Sequence, residues 1–291
     1  MIRLSRFAAP ALALAAAFAA VPARAAPALW AASDRDSTVY LFGTAHVARP
    51  NSKWRTRELD AALESSTALW LEVRTDGHRE AAAAVIQKLG LDPSRALESR
   101  LPPALKAKLD AVLALYGVPA ERLSPMRLWL AAVTLSRLPL ARAGLDPKAG
   151  ADLSLRTSAA AEGDRIEGFD TPEEQVRYLA DLPEDEQLAF LENVVDRAAR
   201  GADLPSRIAD AWESGDVAAI DSILNAELKA KMPSLYRRLL VERNRRYAGR
   251  IEALLAGKED QFVAIGIGHL VGADGIPALL ERKGVKLRRI H

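Results

Sequence analysis

Apolar residues recur at two different spacings along the chain, and the two spacings occupy different regions. Short apolar runs rich in β-branched and aromatic residues predict strands near both ends and one in the middle. Longer segments with an apolar residue every three or four positions predict amphipathic helices between them. The predicted strands cover residues 38–42, 68–73, 165–169, 261–267 and 285–290. The helical spacing is clearest over residues 105–113, 128–138, 188–195, 217–228 and 233–256.

This order of elements predicts the fold class. Thr171 is followed by Pro172 and by Glu174 at the third helical position, which predicts a helix that begins with a capping box. No linker-like Pro/Gly/Ser tract divides the chain after residue 25, so the front and back strands are expected to share one sheet. We therefore expect an α+β (mixed α/β) fold. Its central mixed sheet is built from N- and C-terminal strands, with a large helical insertion packed around it, in a single domain over residues 26–291.

The first 25 residues differ from the rest of the chain. Two arginines within residues 1–6 precede an apolar, alanine-rich run over residues 7–21, and Ala23-Arg24-Ala25 has the small-x-small pattern of a cleavage site. The apolar run is shorter than the ~20 residues that span a bilayer. The segment is therefore predicted to be a signal peptide cleaved near Ala25, which places the protein in the periplasm or outside the cell with no membrane span afterwards.

Composition excludes several classes of protein. The 291 residues are 49% hydrophobic and 27% charged and include no cysteine, so disordered, collagenous and disulfide-stapled classes are excluded. The 40 Lys and Arg against 38 Asp and Glu give no sustained basic field for nucleic acid. A thiol nucleophile is impossible, and the chain contains no HExxH, GxSxG or GxxxxGK[ST] motif.

Two segments far apart in the sequence share a small motif. LFGTAH (residues 41–46) and AIGIGH (residues 264–269) each place Gly-x-x-His at the carboxyl end of a predicted strand. The chain has 4 histidines, and His46 and His269 are two of them. A glycine at a strand exit permits a sharp turn, and open α/β sheets bind ligands at that rim. The repetition favours a shared site, the alternative being that each imidazole merely ends a strand and satisfies a backbone carbonyl.

Glu72 is the third candidate for this site. It lies late in the apolar strand LWLEV, where a buried carboxylate requires a cation or hydrogen-bond donors. With His46 and His269 it makes a set of two imidazoles and one carboxylate, which leaves an open position on a divalent metal ion. Glu72 is then either the third ligand or the general base, and the sequence does not separate these roles. The alternative is that strand alternation turns it towards solvent.

A helix near the C-terminus carries the fourth candidate. Arg243 and Asn244 fall within the apolar face of the helix predicted over residues 233–256. A guanidinium directed at a core requires an anionic partner, for which Glu72 or Glu167 is available. We expect Arg243 to stabilise negative charge on a substrate, with Asn244 as an orienting donor and Glu167 fixing the arginine. The alternative is a purely structural ion pair.

Two further residues have weaker signals. Asp152 follows Gly150 and is expected either to cap a helix or to contact substrate. His78 lies in a polar loop after the strand of Glu72. Three interpretations stay open for it: an exposed side chain, an extra metal ligand or a proton shuttle.

These residues together resemble the TraB/GumN family. The resemblance runs from about Leu29 to Ile290 and rests on STVYLFGTAH, LWLEV, GADLSL, IEGFDTPEEQ, LVERNRRYAGRIEALL and FVAIGIGHLVGADGIPALLERKG. It implies an α+β or mixed α/β domain with functional positions at His46, Glu72, Glu167, Arg243 and His269. The family includes divalent-metal-dependent proteases of the Tiki group and has remoter kinship to erythromycin esterase and to ChaN-type haem-binding proteins.

The residues and the resemblance together predict an exported, divalent-metal-dependent hydrolase that acts on peptide (amide) bonds. His46, His269 and Glu72 would hold the ion, and imidazole with carboxylate suits Mn, Co or Zn, of which the resemblance favours the first two. The alternative is a non-catalytic envelope protein that binds a peptide, a glycan fragment or haem in the same crevice. Family membership does not choose the substrate, and the sequence leaves the oligomeric state open.

Overall fold

The computed structural model describes residues 25–74 and 79–291. The predicted signal peptide, apart from its last residue, and His78 lie outside the described residues. Within the described ranges, no helix is both long and apolar enough to cross a membrane.

Six strands of the described chain form one mixed sheet in the order β4-β3-β5-β2-β1-β6. Strands β2, β3, β4 and β5 run parallel to one another, with β4 at the edge of the sheet, while β1 pairs antiparallel with both β2 and β6. The predicted mixed sheet of N- and C-terminal strands is thus confirmed. The strands are β1 (Leu29–Ser33), β2 (Thr38–Thr44), β3 (Ala68–Val73), β4 (Arg165–Asp170), β5 (Gln261–Gly266) and β6 (Leu287–Arg289).

Helices fill most of the chain between β3 and β5, which confirms the predicted helical insertion. The α-helices of the described chain are α1 (Arg57–Glu64), α2 (Arg79–Gly90), α3 (Pro103–Tyr116), α4 (Leu128–Ser136), α5 (Leu138–Arg142), α6 (Ala151–Glu162), α7 (Pro172–Ala180), α8 (Glu184–Ala199), α9 (Asp203–Ser214), α10 (Val217–Ile220), α11 (Glu227–Lys231), α12 (Pro233–Tyr236), α13 (Glu242–Leu255) and α14 (Ile276–Arg282). Of these, α1 precedes β3 and α14 follows β5. Two π-helical segments, Asp221–Ala226 and Arg237–Val241, interrupt the last part of the insertion.

Each predicted strand and helix corresponds to an observed one, but strand β1 and the helices α1, α2, α6, α9 and α14 were not predicted. The capping box of α7 is present, because Thr171 Oγ1 accepts the Glu174 amide at 3.2 Å and Glu174 Oε2 accepts the Thr171 amide at 2.7 Å. Strand β1 (LWAAS) was not predicted. Its alanines have low strand propensity, so its pairing with β2 and β6 decides its conformation.

Two hydrophobic clusters hold the described residues together. One surrounds the sheet and includes Phe42, Phe262 and Trp212, and the other lies among α3, α4 and α8 around residues such as Leu135 and Leu191. The single-domain organisation stays a prediction. Because β2, β3, β4 and β5 are parallel, their carboxyl ends meet at one edge of the sheet, where open α/β sheets place ligands.

Candidate functional site

The carboxyl edge of the parallel strands gathers the chemistry-bearing residues. His46 follows β2, Glu72 lies near the end of β3, Asp170 ends β4, and His269 lies in the short 3-10 turn after β5. The two Gly-x-x-His segments come from opposite ends of the sequence, but β2 and β5 are adjacent parallel strands. Their histidines therefore emerge side by side.

Gly266, the last residue of β5, marks the point where three of these side chains meet. The position that a Cβ would take on Gly266 lies 2.8 Å from Glu72 Oε1, 3.8 Å from His46 Nε2 and 4.0 Å from His269 Cδ2. Because His46 Nε2 and His269 Cδ2 both lie within 4.0 Å of this position, the two imidazole rings are less than about 8 Å apart. The absence of a side chain at Gly266 leaves this shared space open.

His269 is buried and held in one tautomer. Its Nδ1 lies 2.5 Å from Asn244 Oδ1, and the Asn244 Nδ2 donates to the Asp274 carbonyl at 2.8 Å. Because that second bond fixes the amide orientation, Asn244 offers oxygen to the ring and Nδ1 carries the proton. Nε2 is then left with its lone pair, 3.8 Å from Glu72 Oε1. Burial lowers the pKa of His269 to about 4, so the ring is neutral at neutral pH.

A second asparagine, which the sequence did not indicate, also holds the loop around His269. Asn225, 4% exposed in the first π-helical segment, donates from Nδ2 to the Gly268 carbonyl at 2.9 Å. Asn244 follows the second π-helical segment and is 1% exposed. The amide oxygen and the amide nitrogen of Asn244 both bind protein partners, so Asn244 holds His269 in position. Its predicted contact with substrate stays a prediction.

His46 is held from the opposite side by Asp152. The ring donates from Nδ1 to Asp152 Oδ2 at 2.9 Å, and Thr44 Oγ1 donates to Asp152 Oδ1 at 2.7 Å. Asp152 lies in the first turn of α6, whose N-cap is Gly150, so the predicted N-cap role is taken by the glycine. A Cβ on Gly150 would lie 2.3 Å from the His46 carbonyl oxygen, so glycine is what permits this close approach.

The environment of His46 differs from that of His269. The His46 side chain is 69% exposed, whereas that of His269 is 6% exposed. The hydrogen bond to Asp152, with the negative charges of Asp152 and Glu72, raises the pKa of His46 to about 9. Its Nε2 faces the space beside Gly266. The two imidazoles thus use Nδ1 for a protein acceptor and direct Nε2 towards Glu72.

Glu72 joins the two sides of the site. Its Oε1 accepts the Gly266 amide at 2.8 Å, and its Oε2 accepts Arg243 Nη2 at 2.8 Å. Burial alone would raise the pKa of Glu72, but the charge that His269 carries once protonated at low pH, the charges of Arg243 and His46, and the Gly266 amide hold it well below its ordinary range. Since His269 is neutral at neutral pH, Arg243 is the principal cation that keeps Glu72 ionised there.

Arg243 is 6% exposed and has two carboxylate partners. Besides Glu72, Asp170 Oδ2 accepts from Arg243 Nε at 3.1 Å, and the Arg243 Nη2 also lies 2.7 Å from Tyr247 Oη. Tyr247 donates its hydroxyl to Asp170 Oδ2 at 2.6 Å. Burial alone would lower the pKa of Arg243, but Glu72, Tyr247 and Asp170 raise it. The guanidinium is therefore committed to protein partners.

Glu167 was predicted to fix Arg243, and the structure places it elsewhere. Its nearest cation is Arg74, with Glu167 Oε2 4.0 Å from Arg74 Nη1, and its side chain is 39% exposed. Glu167 lies three residues before Asp170 in β4, which is roughly 10 Å along a strand. Asp170 takes the place predicted for Glu167, because only the end of β4 reaches the level of Arg243.

Asp170 was not singled out from the sequence. Its side chain is fully buried and also pairs with Arg246 Nη2, while the Tyr178 hydroxyl lies 3.2 Å from Asp170 Oδ1. The available signals were its place directly after the strand predicted over residues 165–169 and the i,i+4 spacing of Arg243 and Tyr247.

The donor atoms around Gly266 have the chemistry that a divalent metal ion requires. Two imidazole Nε2 atoms and a carboxylate are donor types that suit Mn, Co and Zn. Donors on one such ion lie roughly 3.4 Å apart, against 3.8 Å between Glu72 Oε1 and His269 Nε2. Within the described ranges, no group of three or more His, Asp or Glu side chains is close enough to hold an ion as it stands. The donor chemistry fits, and coordination by all three requires movement of the exposed His46 ring.

The fold and site define a class of protein: a mixed α+β domain with paired Gly-x-x-His motifs and a strand carboxylate at the carboxyl edge of its sheet. The model of the TraB/PrgY/gumN family matches residues 28–289, nearly the whole chain. The chain belongs to the TraB/PrgY/gumN family. No curated protein and no solved structure matches it.

Proposed function

We propose that this protein is an exported, divalent-metal-dependent hydrolase that cleaves peptide (amide) bonds. The observation that carries the proposal is the convergence on Gly266, where His46 Nε2 and Glu72 Oε1 lie 3.8 and 2.8 Å from the Cβ position and the His269 ring lies within 4.0 Å. Both imidazoles have Nδ1 bound to a protein acceptor, the arrangement that metal-binding histidines adopt. The predicted signal peptide places the activity in the periplasm or outside the cell.

His46, His269 and Glu72 would hold the ion, with Mn, Co or Zn as the candidates. A divalent ion bound there would supply Lewis acidity, which would polarise an amide carbonyl and lower the pKa of bound water. His46 must release its extra proton to accept an ion, and Asp152 then keeps the remaining proton on Nδ1.

This proposal leaves two roles open for Glu72, metal ligand and general base. Its Oε1 faces the shared space beside Gly266, where it either binds the ion or takes a proton from the attacking water. Its Oε2 is bound to Arg243, so the carboxylate is held in place and ionised in both cases. Because Arg243 is buried and engaged by Glu72 and Asp170, we assign it to positioning Glu72 in place of contact with substrate.

The proposal is tested by metal analysis and peptide turnover on the purified protein. We expect bound ion in stoichiometric amount, and cleavage of a peptide library that is lost on chelation and restored by Mn, Co or Zn. His269→Ala and Glu72→Gln should each reduce turnover by at least 100-fold. His291→Gln removes an imidazole that contacts Thr56 and Pro27 outside the site, and should retain turnover.

Two outcomes would contradict the hydrolase. The first is purified protein that contains no bound ion and shows no chelator-sensitive turnover. If such protein still bound a peptide, a glycan fragment or haem, the alternative function of a non-catalytic envelope binding protein would be supported. The second is turnover that His269→Ala leaves unchanged. Export is tested separately by expressing the full chain, fractionating the cells and sequencing the mature N-terminus, which should begin at Ala26.

A further inference from the structure

A groove beside the candidate site has a chemistry that the proposed hydrolysis does not use. It has a volume of about 330 Å³ and is lined by Trp70, Glu167, Gly168, Phe169, Arg246 and Arg250. The rings of Trp70 and Phe169, with centroids 5.5 Å apart, give it an apolar surface. Two arginines against one glutamate give it a net positive charge.

Arg250 is the distinctive residue of this groove. It is exposed, and its guanidinium carbon lies 4.9 Å from the centroid of the Trp70 ring. No ion pair joins Arg250 to an acidic residue of the part of the chain that the structure describes. Stacking on an aromatic ring holds a guanidinium in place while its N–H donors stay free for a bidentate carboxylate.

Arg246 connects the groove to the candidate site. Its Nη2 binds Asp170 and the Tyr178 hydroxyl, and Asp170 in turn binds Arg243. Its side chain is 48% exposed, so the donors other than Nη2 remain available towards the groove. Arg243, Arg246 and Arg250 thus form a row along α13 that runs from the site into the groove.

The spacing of the three arginines gives the distance between the groove and Glu72. Arg250 lies seven residues after Arg243 on α13, which is roughly 10 Å along a helix axis. Trp70 lies two residues before Glu72 on β3, which is roughly 7 Å along a strand. An extended peptide advances roughly 3.3 Å per residue, so the groove lies two or three residues from a bond held at Glu72.

We propose that this groove binds a carboxylate of a peptide substrate, on a residue two or three positions from the cleaved amide bond. Arg250 is the principal donor, Arg246 the second, and Trp70 and Phe169 accept the apolar part of the same side chain. The proposal rests on the proposed peptide hydrolysis, whose substrate class it narrows to peptides with an acidic residue or a terminal carboxylate at that distance.

The test uses alanine-based peptides with one glutamate moved along the chain, and the same peptides with glutamine. Binding of labelled peptides is measured by fluorescence anisotropy with chelated protein, so that it does not depend on turnover. We expect glutamate peptides to bind about tenfold more tightly than glutamine peptides. Arg250→Ala should remove this difference, and Arg250→Lys should keep part of it. Arg245→Ala removes the same charge from an exposed position of α13 outside the groove and should have no effect.

Cleavage then reports the position of the carboxylate. In active protein we expect the lowest KM for peptides whose glutamate lies two or three residues from the cut, and Arg250→Ala should raise that KM with little change in kcat. Equal binding of glutamate and glutamine peptides by the wild type would overturn the proposal, as would an equal loss for both in Arg250→Ala. Failure of the hydrolase alone would appear as absent turnover with the anisotropy difference intact.

Discussion

Arg243 donates from Nη2 to Glu72 Oε2 at 2.8 Å, and both side chains are buried, with 7% and 11% of their surfaces exposed. This ion pair joins α13 to the end of β3, and its carboxylate faces both histidines. The pair holds Glu72 ionised and in position. Removing one partner leaves a buried charge uncompensated.

Arg243→Met should therefore destabilise the protein strongly. We expect the free energy of unfolding to fall by about 3–5 kcal/mol, since Glu72 and Asp170 both lose a cation. Urea unfolding of the wild type, Arg243→Met, Glu72→Gln and the double variant measures this. The double variant should lose less than the sum of the two single losses, because the second change removes a charge that the first left unpaired. Additive losses would show that the two side chains are not coupled.

Asp170 and Glu167 make a matched pair of carboxylates on β4. Asp170→Asn removes the charge between Arg243 and Arg246 and should lower the free energy of unfolding by about 3 kcal/mol or more. Glu167→Gln should change it by no more than about 0.5 kcal/mol, because Glu167 is partly exposed and 4.0 Å from its nearest cation. Equal losses in urea unfolding would contradict the assignment of Asp170 as the partner of Arg243.

Gly266 can be tested against a second glycine. Gly266→Ala would place a Cβ 2.8 Å from Glu72 Oε1, so the carboxylate must shift and the shared space is filled. We expect metal binding, measured by calorimetry, to weaken by at least tenfold. Gly249 lies on α13 with no atom within 4 Å of its Cβ position. Gly249→Ala should leave metal binding intact and stabilise the helix by about 0.5–1 kcal/mol.

The two site histidines predict opposite pH dependences in metal-free protein. The pKa of His269 is lowered to about 4, so below pH 6.5 the unfolded chain binds a proton that the folded protein excludes, and stability falls as the pH drops from 6.5 towards 4. The pKa of His46 is raised to about 9, so its contribution is present below pH 6.5 and is lost as the pH rises towards 9.

Denaturation at a series of pH values with chelator present checks both signs. His269→Gln should flatten the acidic side of the stability profile, and Asp152→Asn should flatten the alkaline side by removing the acceptor of His46. Imidazole resonances provide a direct check, since the sequence has 4 histidines. A His269 resonance that titrates near pH 6.5 would contradict its burial in the neutral form.

Much of the site was predictable from local sequence. The repeated Gly-x-x-His motif predicted that His46 and His269 meet, and β2 and β5 are adjacent. Arg243 falls within the apolar stripe of α13, and the face of a helix that carries such a stripe packs against the core. Its burial was therefore predicted, and the structure confirms it. Glu72 and Glu167 were the two candidate partners of Arg243, and the structure shows the contact with Glu72, at 2.8 Å.

The remaining assignments depend on how strands and helices are placed against one another. Periodicity identifies β4, but it does not say that the end of the strand, Asp170, is level with Arg243 while Glu167 lies beside Arg74. Similarly, Asp152 looks like a helix-start residue in sequence. Only the approach of α6 to the β2 loop directs its carboxylate to His46.

The sequence by itself determined the mixed fold, the chain order of the elements that it predicted, and most of the residues with chemistry to contribute, because hydrophobic period and residue type are local properties. The tertiary structure alone decided which carboxylate pairs with Arg243 and which side chains position the two imidazoles. It also decided that an arginine row leads from the site into a groove. These relationships join residues far apart in sequence, and their distances follow from strand order and helix placement, which no local pattern encodes.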